Sequence, residues 1–402
     1  MKAKYLEVTQ NITLWLIIFA CFSINLPTAF MSISSVGILV FWVISGDYKI
    51  KFERITNSPI AIIAIVLFVL YVLGTLYSTA SWHDRLKYLL KYEKLLLIPL
   101  IVSVLSLSRV RAYAINAFLI SSIIVLLASY FKWLGLIPHE DIGQGYFIFK
   151  GRIAHGIFMA FVAYLMMARA TKSTGFKRIL WITLVILAGF NIVFLVNGRT
   201  GQIILLALIV WFTFEFWNLK AIKYWLGLIL IGFTLQQMLP IELHSRLLDT
   251  QQELAAHQSN GVQTSAGQRM EMYKTTISLI KKHLLFGGGT GSIAIEYEIE
   301  AKKNNLSMNN VPNPHNQFLL TTQELGIIGL IVLVLMWVLS WRESYKISNS
   351  QDGVVFRGLI LTMTIGCLFN SLLMDASEGK FFCILGGVLA SGFKPFVGKT
   401  DA

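Results

Sequence analysis

Apolar runs long enough to cross a hydrocarbon core recur from one end of this chain to the other, separated by short polar breaks. We read spans near residues 12–29, 31–46, 59–79, 95–107, 113–135, 153–170, 179–196, 201–218, 222–239, 317–340, 358–374 and 379–393. Backbone N–H and C=O groups in lipid have to be satisfied within the segment, and these runs are too long and too evenly apolar for barrel strands. The fold class implied is an all-α polytopic membrane protein with about 12 transmembrane helices. Composition agrees, because 55% hydrophobic and only 14% charged residues leave too little polar surface for a soluble globule of 402 residues.

A net charge of +13 raises nucleic-acid binding, but the basic residues are spread over alternate short loops and form no single patch interleaved with aromatics. They read instead as topology signals. With the N-terminus in the cytoplasm, the inner loops hold Lys49, Lys51 and Arg54, then Arg109 and Arg111, Lys172, Lys177 and Arg178, Lys220, and Arg342 with Lys346. Lys394 and Lys399 place the C-terminus inside as well. The first apolar segment is longer than a signal-peptide core and lacks a small-residue cleavage site, so it is kept as a span. Cys21, Cys367 and Cys383 all fall in apolar runs and read as small core residues.

One segment breaks the rhythm. Roughly 75 residues separate the runs ending at Leu239 and beginning at Gln317, far beyond an ordinary connection. The chain thus divides into nine spans over residues 1–239, a periplasmic loop subdomain over 240–316, and three spans with a cytoplasmic C-terminus over 317–402. Within the loop, 242–257 and 265–286 have helical patterning around a polar linker at 259–264. A second outer-face feature at 81–94 sets Arg85, Lys87, Lys91 and Lys94 among leucines and tyrosines, as in an interfacial amphipathic helix. It reads as a basic anchor, with an anionic lipid head group as the alternative.

Asn313-Pro314-His315-Asn316-Gln317 closes the loop. Pro312 and Pro314 hold the chain extended, and Asn316 is placed to cap the next helix. His315 then sits at a helix N-terminus, where the dipole disfavours imidazolium and leaves a neutral ring able to accept a proton. A general base is the functional reading; a histidine satisfying loop carbonyls is the competing one. Asn197-Gly198-Arg199-Thr200-Gly201-Gln202 is a hinge on the same face, with Asn197 as cap and Arg199 in the first turn beside free amides, an arrangement suited to phosphate. A snorkelling arginine is the alternative. Arg269 precedes Tyr273 by one turn on a stripe continued by Ile277, Ile280 and Leu284, so it is expected to face a carboxylate or an anionic substrate.

Gly287-Gly288-Gly289-Thr290-Gly291-Ser292 lacks the Lys-Ser or Lys-Thr ending of a P-loop and reads as a helix stop with a flexible turn. Glu324, inside a span, is a candidate for function or for pairing within the bundle. Asp375 and Glu378 lie in the last outer loop beside Lys380. Glu140 and Asp141 read as a solvated turn. The absence of an Asp-x-Asp motif, with no carboxylate in the first outer loop, disfavours a metal-dependent glycosyltransfer site, and no cofactor is expected.

The many spans, the single long periplasmic loop, Arg199-Thr200-Gly201 at a helix start, Arg269 inside the loop and Pro314-His315-Asn316 at its end resemble the O-antigen ligases of Gram-negative bacteria. The resemblance implies a GT-C-like architecture in the bacterial inner membrane, with the active site on the periplasmic face. It implies transfer of an O-antigen glycan from undecaprenyl diphosphate to a sugar hydroxyl of lipid A-core in lipopolysaccharide biosynthesis, with inversion and without a metal. On that resemblance His315 is the base and Arg199 and Arg269 clamp the diphosphate, with Asn313, Asn316, Tyr273, Glu324 and Asp375 as supporting positions. O-antigen polymerases and protein O-oligosaccharyltransferases share the donor and remain alternatives. A lipid-linked glycan flippase or other transporter is a further one, weakened because neither inverted repeats nor interrupted helices are visible in the sequence. The two arginines and His315 are expected to face a common cavity in the outer leaflet.

Overall fold

The computed structural model describes residues 2–105, 107–138, 145–196, 198–217, 265–306, 311–347 and 349–392, with side chains from residue 7 onward and excluding 217, 265 and 266. The span at 222–239, the helix at 242–257, the linker at 259–264, Asn197, Glu140, Asp141, Lys220, Lys394 and Lys399 lie outside the described residues. The described chain is all-helical, without strands. Its helices are α1 Lys2–Ser23, α2 Thr28–Ile44, α3 Tyr48–Thr56, α4 Pro59–Tyr77, α5 Trp82–Leu90, α6 Leu97–Val104, α7 Ser108–Trp133, α8 Arg152–Lys172, α9 Gly175–Phe190 and α10 Arg199–Trp217. After these come α11 Ser265–Lys282, α12 Ile293–Lys303, α13 Gln317–Ser344, α14 Ser350–Phe369 and α15 Ala376–Ala390.

Seven helices are long and apolar enough to cross a membrane: α4, α7, α8, α9 with its extension to Leu195, α10, α13 and α14. The chain is a multi-pass membrane protein. The helices at four other expected spans do not reach, each by itself, the length and apolarity of a membrane crossing among the described residues. The apolar part of α1 covers Glu7–Ser23. α2 and α3 together form a pair bent by 120°, α6 has 8 residues behind a 3-10 turn at Glu93–Leu96, and α15 has 15.

Local chemistry sets where the helices start. Ser58 accepts the Ala61 N–H at 3.4 Å ahead of Pro59, and Asn349 accepts the Gln351 N–H at 3.1 Å to open α14. α8 is the core helix, buried from Ala154 to Met166 and packed on α9, α10 and α14. Basic residues of one face are tied to the surrounding helices: Arg111 pairs with Asp352 at 2.8 Å, Arg357 pairs with Glu215, and Arg54 donates to Ser103 O at 3.0 Å. The opposite face, the site face, carries residues 24–30, 78–96, 146–151, 192–196, 198–199, 311–316 and 370–377.

α13 is not continuous. At Gly326 the backbone turns to φ 66° and ψ −164°, which frees carbonyls and amides inside an apolar bundle. The 284–291 stretch fills the break. Gly288 N–H donates to Gln323 O at 2.8 Å, Gly289 N–H to Glu324 O at 2.9 Å, and Ile327 N–H reaches back to Leu284 O at 2.9 Å. The Glu324 carboxylate accepts the Gly291 N–H at 2.8 Å and the Tyr92 hydroxyl at 3.3 Å. Thr290 fastens the same loop to α4 through Gly74 O at 3.1 Å and Tyr71 O at 2.6 Å. The glycine run is therefore a buried, hydrogen-bonded plug and not the flexible turn expected, and the helix interruption was not visible in the sequence.

A Cβ on Gly326 would lie 2.1 Å from Leu285 O, on a backbone with positive φ. Replacing Gly326 by Ala is expected to destabilise the detergent-solubilised protein by at least about 2 kcal/mol. Gly189→Ala, where a Cβ meets nothing within 4 Å, should leave the melting temperature unchanged or higher. Equal melting temperatures for the two variants would mean that the break in α13 does not carry the loop.

Candidate active site

The segment 311–316 enters α13 through Asn316, whose Oδ1 accepts the Phe318 and Leu319 N–H groups at 3.0 and 3.1 Å, the N-cap expected from sequence. His315 just before it has φ 50°, a left-handed conformation that a β-carbon disfavours. An Asx turn holds it there, with Asn313 Oδ1 accepting the His315 N–H at 2.9 Å. Tyr88 of the interfacial helix α5 donates to Pro312 O at 2.8 Å, which ties the expected amphipathic segment to the site.

The C-terminal end of α14 gathers the candidates. Leu368 O accepts Asn316 Nδ2 at 3.0 Å and the Tyr273 hydroxyl at 3.2 Å; the same hydroxyl is 3.3 Å from His315 O. Asn370 Nδ2 donates to Thr200 Oγ1 at 3.2 Å, the residue next to Arg199. Ser371 Oγ donates to Asn313 Oδ1 at 3.3 Å, and Gln317 Oε1 accepts the Leu373 and Met374 N–H groups at 3.0 and 3.2 Å. Three segments far apart in sequence, around residues 199, 269–273 and 313–317, thus meet through one short stretch at 368–374.

Arg199 is the first residue of α10 and is exposed. The close approach of Gly201 to Gly156 sets the position of that helix end, because a Cβ on Gly201 would sit 2.8 Å from Gly156 C. Arg269 is half-buried on α11, one turn before Tyr273. The buried stripe of α11 is Met272, Thr276, Leu279 and Ile280, whereas Ile277 is 42% exposed and Leu284 lies beyond the helix end. Arg269 and Tyr273 consequently flank the buried face and do not lie at its centre, and among the described residues no carboxylate forms a salt bridge with Arg269. Burial and, after it, the Arg269 charge hold the His315 imidazole below its ordinary titration range. A neutral ring near pH 7 follows.

Glu324 is spent on the plug of α13, and among the described residues no hydrogen bond joins it to His315. Asp375 caps nothing with its side chain; its carbonyl accepts the Lys94 ammonium at 2.6 Å, and burial raises its carboxyl against the pull of Lys94 and Lys91. A cavity of about 580 Å3 lies apart from the arginines, lined by apolar side chains of α4 and α13 with Phe286. Sequence reading named Gln317 in the motif without a role and missed Asn370 and Ser371; the polar pair Asn370-Ser371 at the end of an apolar run was the available signal.

Residues 182–334 match the O-antigen ligase family. Arg199, Arg269 and His315, which carried the resemblance, all lie in that stretch, whereas the residues at 368–374 that join them lie outside it. No curated protein matches the chain. The match supports function of the O-antigen ligase and polymerase type and a membrane glycosyltransferase-like enzyme, with lipid-linked glycan and lipid acceptor as its general substrates.

An NMR titration of His315 is expected to give a midpoint below 6.5, the ordinary value. Removing the positive charge with Arg269→Gln should move that midpoint upward. A midpoint that stays put would mean Arg269 does not reach the ring.

Proposed function

We propose that the protein is an O-antigen ligase that transfers glycan from undecaprenyl diphosphate to a sugar hydroxyl of lipid A-core, on the periplasmic face of the bacterial inner membrane. The observation that carries the reading is the meeting of the Arg199, Arg269 and His315 segments at the end of α14, within a chain whose 182–334 stretch matches the family. In this reading His315 takes the proton of the acceptor hydroxyl as its oxygen attacks the anomeric carbon. The bond from that carbon to the diphosphate oxygen breaks on the opposite side, which inverts the configuration. Charge accumulates on the departing diphosphate, where Arg199 and Arg269 stabilise it. A diphosphate is already a good leaving group, so two guanidinium groups can stand in for a metal ion. A twelve-span, GT-C-like arrangement with the site at the outer leaflet belongs to the same proposal.

The broken α13 is a feature also found in transporters, where the freed backbone groups line a cavity for ions or substrate. Here the 284–291 loop occupies those groups, which favours a structural role for the break.

With purified protein in detergent and EDTA, transfer from undecaprenyl diphosphate-linked glycan to lipid A-core should proceed. His315→Ala should lower it by about 10^2- to 10^4-fold, the range typical of a lost general base. Extension of the donor-linked glycan with no transfer to lipid A-core would replace the ligase by the polymerase. No reaction with either acceptor, together with loss of glycan transport in Glu324→Gln, would favour the transporter.

A further inference from the structure

The site face holds a second concentration of charge that the proposed reaction does not use. Lys94, Lys150 and Lys380 come from three separate segments and are only 4%, 5% and 8% exposed. Lys94 is satisfied by two carbonyls, Met374 O at 3.0 Å and Asp375 O at 2.6 Å. Lys150 and Lys380 reach only hydroxyls. The Lys150 ammonium lies 3.1 Å from Thr28 Oγ1 and 3.3 Å from Ser377 Oγ, and that of Lys380 lies 2.7 Å from Ser32 Oγ. Among the described residues neither forms a salt bridge; Glu378 acts on Lys150, and Glu93 on Lys380, only through their fields. An ammonium carries three donors, so these hydroxyls leave one on Lys150 and two on Lys380 to be used. Burial without a contacting counter-ion is costly, and it pulls Lys150 down to about 8.

The surroundings favour an anion. Thr28 Oγ1 and Ser377 Oγ are 3.3 Å apart, and both residues, like Ser32, are partly exposed. Ser32 gives its hydroxyl proton to Thr28 O at 3.2 Å, and one of the Thr28 and Ser377 hydroxyls donates to the other, so one hydroxyl proton of that pair stays free to donate. Thr28 opens α2 and Ser377 is the second residue of α15, and in neither helix does the N-cap side chain bond the first-turn amides. Two uncapped helix N-termini therefore converge on the two hydroxyls above the buried lysines.

We propose that Lys150, Lys380, Thr28, Ser32 and Ser377 form a phosphate-binding subsite for a phosphate ester carried on a membrane lipid or glycolipid. The stretch 370–377 links it to the His315 site, running from Asn370 on Thr200 and Ser371 on Asn313 to Ser377 on Lys150. If the ligase reading holds, this subsite takes a phosphate of the acceptor glycolipid while the donor diphosphate occupies the arginines; that assignment rests on the proposed function, but the subsite does not.

Binding of dioleoyl phosphatidic acid to the full chain in detergent, read by native mass spectrometry, tests the subsite. The double variant Lys150→Gln, Lys380→Gln should bind at least about tenfold more weakly than wild type, and Lys150→Arg, Lys380→Arg should keep the affinity. His315→Ala should bind as wild type does, and a wild-type protein that binds the lipid but transfers no glycan would sink the ligase reading and leave the subsite standing. Displacement of the lipid by inorganic phosphate would show that the phosphate alone is recognised; retention of the lipid would show that its ester linkage or tether is required. If the glutamine variant fails to fold, Thr28→Val with Ser377→Ala serves instead and should also lower affinity. Wild-type affinity in either folded variant would overturn the proposal.

Discussion

The break in α13 is the constraint on which the site face depends. A helix interrupted inside an apolar bundle exposes backbone groups that lipid cannot satisfy, each at a cost of a few kcal/mol. In the Gly287-Gly288-Gly289 run, Gly287 and Gly289 have positive φ, and a Cβ there would lie 2.4 Å from Glu324 C and 2.3 Å from Ser78 Cα. Because the plug is fixed at Gln323 and Glu324 and again at Gly74 and Tyr71, α11 and α12 on either side of it are held against α13 and each other. The same helix begins at Asn316. The loop that carries Arg269 and the helix that carries His315 at its start are thus built as one unit, which lets the charge of one act on the ring of the other.

Much of this was legible in the chain. Long apolar runs predict the seven helices that are long and apolar enough to cross a membrane, because backbone satisfaction leaves helices as the only choice for them. The shorter elements escaped because length was read from hydropathy, and hydropathy does not register the 3-10 turn at Glu93–Leu96 or the bend after Ile44. The break at Gly326 escaped for a related reason: a glycine inside an apolar run is tolerated in membrane helices, and only its pairing with a distant glycine run makes it a break.

In the site, the Asn316 cap and the position of His315 follow from local rules that act within a few residues. The left-handed turn at His315, the hub at Leu368 and Asn370, and the true buried face of α11 follow from tertiary contacts, which periodicity cannot supply. Leu284 misled the stripe because the helix ends at Lys282, before it. The buried lysines of the site face were equally hidden, since Lys150 in a loop reads as a solvated charge until α2 and α15 close over it.

The central claim is that Arg199 and Arg269 bind one diphosphate beside His315. A cryo-EM structure with undecaprenyl diphosphate bound tests it most directly. The account predicts diphosphate oxygens within hydrogen-bond distance of both guanidinium groups, with the His315 imidazole facing the side from which an acceptor hydroxyl would approach. Diphosphate held elsewhere on the site face, with Arg199 and Arg269 on separate surfaces, would contradict it.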